Sequence, residues 1–168
     1  MIVTRNQTSR DRGDLQQPYN LQVPGGVKTV SPKGGKVYDI SHFQIVQADQ
    51  IRSYSVVPGR RPIAQPLHDP KAKNPANPGG PPGSVKIASD GSTAAFVPAR
   101  RALAWQTTDA NGNAVVRERV WVTFQPGEVR VCASCHGINS SSQAGEPPPT
   151  TKPEALRALL RYWKTLPS

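Results

Sequence analysis

Both cysteines of the chain and one of its three histidines stand together in "VCASCHG", Val131 to Gly137, where Cys132 and Cys135 are separated by two residues and His136 follows directly. Two thiols at this spacing can each add to one vinyl group of a haem, and the next imidazole is then placed beneath the iron as an axial ligand. The pattern predicts one covalent haem c, held by Cys132 and Cys135, with His136 as the proximal ligand. Other chemistries use these residue types in other settings. A structural zinc takes four ligands, usually from two such pairs, and the remaining histidines, His42 and His68, are single and far apart. A thioredoxin-type dithiol opens a helix near a βαβ unit, whereas these cysteines follow strand-like sequence. A disulfide across two residues closes too short a loop to stabilise much. Two thiols that bind nothing are the bland alternative.

With a haem in place, function turns on the far side of the iron. The single methionine is Met1, in a polar stretch, so the candidates for a distal ligand are His68, inside a proline-rich segment, and His42, at the start of strand-like sequence. Two imidazoles would give a low-potential electron carrier; an open sixth position would admit a small ligand or catalysis. The chain has no G-x-S-x-G, no phosphate-binding glycine loop and no H-E-x-x-H. The expectation is an electron carrier rather than an enzyme.

The elements that must position this motif come from a chain of 168 residues with 18 prolines, 14 glycines and 36% hydrophobic residues, so only part of it can be packed in a core. Twenty-one Lys and Arg against eleven Asp and Glu give a net charge of +10, which favours acidic partners. The basic residues are scattered and no nucleic-acid module accompanies them, so acidic redox proteins are expected as partners and nucleic acid is not. No apolar run approaches the ~20 residues of a membrane span. The opening "MIVTRNQTSRDRGD" contains no apolar signal segment.

Residues 1–35 read as an extended arm or linker that could pair with another copy of the chain. Residues 36–130 read as a β domain: strand-like sequence from Val37 to Val57, a long proline-rich loop at 58–83, then two hairpins. The first hairpin is "SVKIASDGSTAAFVP" with its turn at Asp90-Gly91, and the second turns at Asn111-Gly112. Asp-Gly and Asn-Gly supply the positive φ that tight turns require. Such strands predict a mainly β fold, a small antiparallel β-sandwich of immunoglobulin-like form. Residues 131–168 hold the haem-attachment segment and one helix from Thr151 to Leu166. There Thr151 and Glu154 form a capping box, and Leu156, Leu159, Leu160 and Trp163 share a face that covers the sheet or a haem edge.

The stretch from Gly83 to Gly137 also resembles the c-haem-bearing module of bacterial proteins related to the hydrazine synthase alpha subunit. The likeness rests on Asp90-Gly91-Ser92, Val97-Pro98-Ala99, the Gln106 to Gly112 hairpin and the P-G-E-x-R lead-in, Pro126 to Arg130. It implies a small β domain with Cys132 and Cys135 as thioethers and His136 on the iron. Hydrazine formation is not implied, since no propeller and no second haem motif are present. Haem attachment outside the cytoplasm implies a periplasmic or extracellular site, with the chain a module of a larger exported redox protein. The competing expectations are a zinc-bound or metal-free β-sandwich used for docking, and a catalytic haem with an open sixth site.

Overall fold

In the computed structural model, residues 1–7, 40–53, 60–118, 120–133, 147 and 149–167 are described. The β-branched and aromatic run after Ile40 forms one long strand, β2 (His42–Ser53). It is central to the larger sheet because both its edges are used. On one side it pairs with β3 (Arg60–Pro66) and β4 (Ser84–Lys86), on the other with β6 (Ala102–Thr108). β6 continues outward to β7 (Ala114–Arg117) and to β8 (Val122–Thr123), and all these pairings are antiparallel.

A smaller sheet has the order β5-β1-β9, built from β1 (Ile2–Thr4), β5 (Thr93–Ala95) and β9 (Arg130–Cys132). β1 runs antiparallel to β5 and parallel to β9. The two sheets share one apolar core, in which Phe43, Ile45 and Leu103 of the larger sheet meet Ile2 and Ala95 of the smaller, with Ile40, Val85, Ile87, Val115 and Phe124 filling between. The fold is therefore mainly β, sandwich-like and not a closed barrel, with mixed strand directions and, among the described residues, one helix, α1 (Glu154–Trp163).

Five sequence expectations change in detail. Residues 2–4, assigned to an arm, form the middle strand of the smaller sheet, and Ile2 and Val3 are each 1% exposed. Three residues are too short a run to announce a strand, yet burial on both faces makes them indispensable. The rest of that arm lies outside the described residues. The proline-rich loop begins later than 58, because Arg60–Pro66 is a strand despite Pro62 and Pro66. β3 stands at the edge of the sheet, the place where a residue without an N–H can be tolerated; the irregular excursion is the stretch from Leu67 to Gly83.

The Asp90-Gly91 turn is tight, with Gly91 at φ 79° and Ala88 N–H donating to Ser92 O at 2.9 Å. Its flanking strands nevertheless part: β4 joins the larger sheet and β5 the smaller. The turn is thus a corner linking the two layers. The Asn111-Gly112 turn closes a true hairpin between β6 and β7, with Gly112 at φ 84°. The Asp109 carboxylate braces it by accepting from Asn111 and Asn113 N–H at 2.9 and 2.8 Å. Past Arg117 the alternation fails at Glu118, and there the strand ends; pairing resumes only at Val122.

α1 carries no side-chain cap of its own, since its N-cap is Pro153. The expected Thr151 and Glu154 box is replaced by a cap supplied from the corner turn. Asp90 Oδ2 accepts from Glu154 N–H at 2.8 Å, Ser92 Oγ accepts from Ala155 N–H at 3.0 Å, and Ser89 Oγ donates to Glu154 Oε2 at 2.6 Å. This cross-chain cap seats the helix on the outer face of the smaller sheet, where Leu159 is buried against Val3 and Ala94, with Ala155 and Leu156 beside it. Leu160 and Trp163, expected on the same face, stay 41% and 57% exposed.

Burial opposes ionisation of Asp90, but its hydrogen bonds with Ser92 and Glu154 outweigh that effect and hold its pKa below the ordinary value. The stabilisation is therefore complete above the unfolded carboxylate range near 3.9 and is lost as pH falls through the lower folded value. Replacing Asp90 with Ala should cost about 1 kcal/mol, as loss of a helix cap does. The loss should vanish when urea melts of both proteins are compared at pH below the folded pKa.

Candidate functional site

The strand that delivers Cys132 has an unusual anchorage. β9 is an edge strand whose ladder partner is β1, in the register Ile2 to Arg130, Val3 to Val131 and Thr4 to Cys132. Arg130 N–H donates to Met1 O and Arg5 N–H to Cys132 O, both at 2.9 Å. The Met1 nitrogen donates to Glu128 O at 2.7 Å. Burial lowers the pKa of that amine, with the nearby Glu128 charge opposing.

Arg5 also holds the chain further on. Its guanidinium donates to Pro149 O and, at 2.7 Å, to Thr151 O. One residue therefore binds the chain just before and just after the segment 134–148, which contains Cys135 and His136. Those two residues lie outside the described residues. Within reach of β1 is a buried polar cluster: Thr4 Oγ1 and Thr93 Oγ1 are 2.5 Å apart, and Gln7 Nε2 donates to Thr4 Oγ1 at 2.8 Å. Since paired residues share a sheet face, Cys132 lies on the same face as Thr4 and Thr93.

The P-G-E-x-R lead-in has a physical reading. Gly127 takes φ 77° to complete the turn, and the Glu128 carboxylate closes it by accepting from Gln125 N–H at 2.7 Å. The same carboxylate binds Arg130 at 2.6 Å. The Gln125 N–H and the Arg130 side chain hold the pKa of Glu128 down. Arg130 in turn lies 4.7 Å from the centre of the Phe124 ring, a cation–π contact. The lead-in is a clamp that fixes the approach to Cys132.

Cys132 itself carries a free thiol and is neither buried nor open. Burial raises its pKa; Arg130 pulls it down and Glu118 pushes it up, so at neutral pH the sulfur is a protonated thiol. Among the described residues, exposed apolar side chains include Val120 at 63%, Trp121 at 37%, Val129 at 54% and Val131 at 42%.

The two histidines considered as distal ligands are placed elsewhere. His42 is buried at the head of β2, where Asn77 Nδ2 lies 3.1 Å from its Nδ1. His68 is exposed beyond β3, its Nδ1 bonded to Pro66 O at 2.8 Å and its Nε2 3.7 Å from Asp49 Oδ2. Gln47, 2% exposed, organises that corner by accepting from His68 and Asp69 N–H. Neither imidazole bonds to Cys132 or its neighbours among the described residues, and there no group of three or more His, Cys, Asp or Glu is arranged for a metal ion. A groove of about 850 Å³ between α1 and the corner turn does not include Cys132 in its lining. Sequence reasoning missed β1 and Arg5; the one available signal was the apolar triplet at the N-terminus.

These features define a two-layer β domain whose small sheet presents a cysteine-bearing edge strand. Residues 41–137 match the model of the hydrazine synthase alpha subunit middle domain. That match covers more than half of the chain, and the chain belongs to this family. It ends at Gly137, directly after the cysteine motif. No curated protein and no solved structure matches. No helix among the described residues is long and apolar enough to cross a membrane.

Proposed function

We propose that this chain is a monohaem c-type module for one-electron transfer, with Cys132 and Cys135 as thioether ligands and His136 as proximal ligand. The observation that carries the reading is the Cys-x-x-Cys-His motif at the end of a strand clamped on its approach by Glu128 and Arg130. Cys132 fits the role: its sulfur is a neutral thiol and partly accessible. The haem supplies a redox centre whose potential depends on axial ligation, burial and nearby charge. The protein's residues hold it, exclude water from one face and set the local charge through Arg130 and Glu118. Attachment of this kind belongs to an exported, periplasmic or extracellular protein. The net charge of +10 suits acidic redox partners, an attraction that salt weakens.

Expression in a host competent for c-haem maturation, followed by a pyridine haemochrome spectrum, tests the reading. One covalent haem per chain is expected, and a colourless protein with intact thiols overturns it in favour of a docking domain.

A second reading is favoured by the histidines. His42 is enclosed with Asn77 and His68 is bonded to Pro66 beside Asp49, which supports an open sixth position able to take a small ligand. Carbon monoxide added to the reduced protein separates the two: fast stoichiometric binding indicates an open site. An unchanged spectrum indicates a firmly held ligand, and losing that resistance on His68→Ala or His42→Ala names it.

A further inference from the structure

The register of β2 against β3 shifts between Ala48 and Gln50, which makes Asp49 the extra residue of a β-bulge. A bulge re-aims the side chain it carries. Here the carboxylate meets the ring of His68, two residues past the end of β3, with Asp49 Oδ2 at 3.7 Å from His68 Nε2. That separation is too long for a hydrogen bond.

The protons in this corner are fixed by its neighbours. His68 Nδ1 lies 2.8 Å from Pro66 O; a carbonyl oxygen only accepts, so Nδ1 carries a hydrogen. The buried Gln47 settles the other ring nitrogen. Its Oε1 accepts from His68 N–H at 3.4 Å and from Asp69 N–H at 3.2 Å. The amide nitrogen is thereby turned to donate to Asp49 Oδ1 at 2.7 Å and to face His68 Nε2 at 3.4 Å. An amide NH2 group only donates, so the ring nitrogen it faces presents a lone pair. His68 Nε2 and Asp49 Oδ2 are therefore two acceptors with no hydrogen of their own between them, an arrangement that favours a cation in the gap.

The spacing suits a metal ion. Bonds of about 2.0–2.2 Å from an imidazole nitrogen and a carboxylate oxygen, opened to a tetrahedral angle or somewhat wider, set the two atoms roughly 3.3–3.7 Å apart. Each donor is also held from behind, the ring by Pro66 O and the carboxylate by Gln47, as ligands in metal sites are.

We propose that His68 Nε2 and Asp49 Oδ2 bind a zinc-class divalent ion, with water completing its coordination. A nitrogen donor beside an oxygen donor suits zinc, whereas magnesium and calcium take oxygen ligands. Among the described residues no third His, Cys, Asp or Glu joins the pair. The adjacent Asp69 spends Oδ1 on Lys71 N–H at 2.9 Å. The ion is thus exchangeable, and it ties the start of the excursion from Leu67 to Gly83 onto the central strand. No residue of the cysteine motif takes part, so the site stands whether or not a haem is bound there.

Calorimetric titration with zinc chloride tests this on the full chain carrying Cys132→Ser and Cys135→Ser, so that thiolates do not compete for the metal. One saturable site per chain is expected. Adding His68→Ala should abolish it. Adding Asp49→Asn should weaken it by at least about tenfold, since losing a ligand costs no less than losing the group behind one. Asn at 49 still offers an oxygen to Gln47, so this variant should melt like its parent without zinc. Zinc should raise the melting temperature of the parent and leave that of the His68→Ala chain unchanged. Absence of saturable binding overturns the proposal, as does a site that His68→Ala leaves intact.

Discussion

Val3→Asp is expected to unfold the smaller sheet. Val3 is 1% exposed and sits in the middle strand, between Ala94 of β5 and Val131 of β9, with Leu159 of the helix above it. A carboxylate there has no partner in reach, and burying an unpaired polar group costs at least about 3 kcal/mol, a large share of the ~5–15 kcal/mol that holds a domain together. The helix and β9 depend on the same strand. Chemical denaturation followed by far-ultraviolet circular dichroism should therefore show a midpoint shift together with lost helical signal. Val3→Ala is the gentler control: it should lower stability by about 1–3 kcal/mol and keep the native spectrum. A Val3→Asp protein as stable as wild type would contradict the placement of β1. Because Arg5 holds the chain on both sides of the motif, the same variant should also take up less haem.

The second large effect concerns the sulfurs. Cys132→Ser together with Cys135→Ser should abolish covalent haem, so that acidified acetone extracts all colour from the protein. Each single variant should retain one thioether and a shifted haemochrome band. Cys132→Ser exchanges one small half-buried side chain for another, so the apo fold should melt as wild type does. The double variant retaining acetone-resistant haem would show that the attachment lies elsewhere.

How much of the fold was legible in the sequence depends on the range of the interactions involved. The Asn111-Gly112 hairpin was readable because its whole cause is local: a glycine at φ 84° and an aspartate bonding to residues two and four ahead. The Asp90-Gly91 turn was readable as a turn, but not as a corner between sheets, because the strands on either side find partners far away in the chain. The helix was readable from its leucines, whereas its cap was not, since Asp90 and Ser92 lie more than sixty positions from the N–H groups they accept from. The proline-rich tract misled for a definite reason. Proline forbids a central strand and permits an edge, and nothing local says which one a segment will be. Of the site, the motif itself was plain, while its anchorage by β1 depends on contacts that only the folded chain creates.

The parallel pairing of β1 with β9 has a consequence in time. β1 must find its partner strand far along the sequence, with 127 positions separating Met1 from its acceptor on Glu128. Closing so long a loop is slow relative to local hairpins, so the β6–β7 hairpin, whose strands are neighbours in sequence, forms ahead of it. In that interval Cys132 lies on a segment without its ladder partner. Once β9 docks on β1, Cys132 is fixed at the edge of the smaller sheet. The order of assembly thus leaves this thiol on a free segment first and on a sheet edge afterwards.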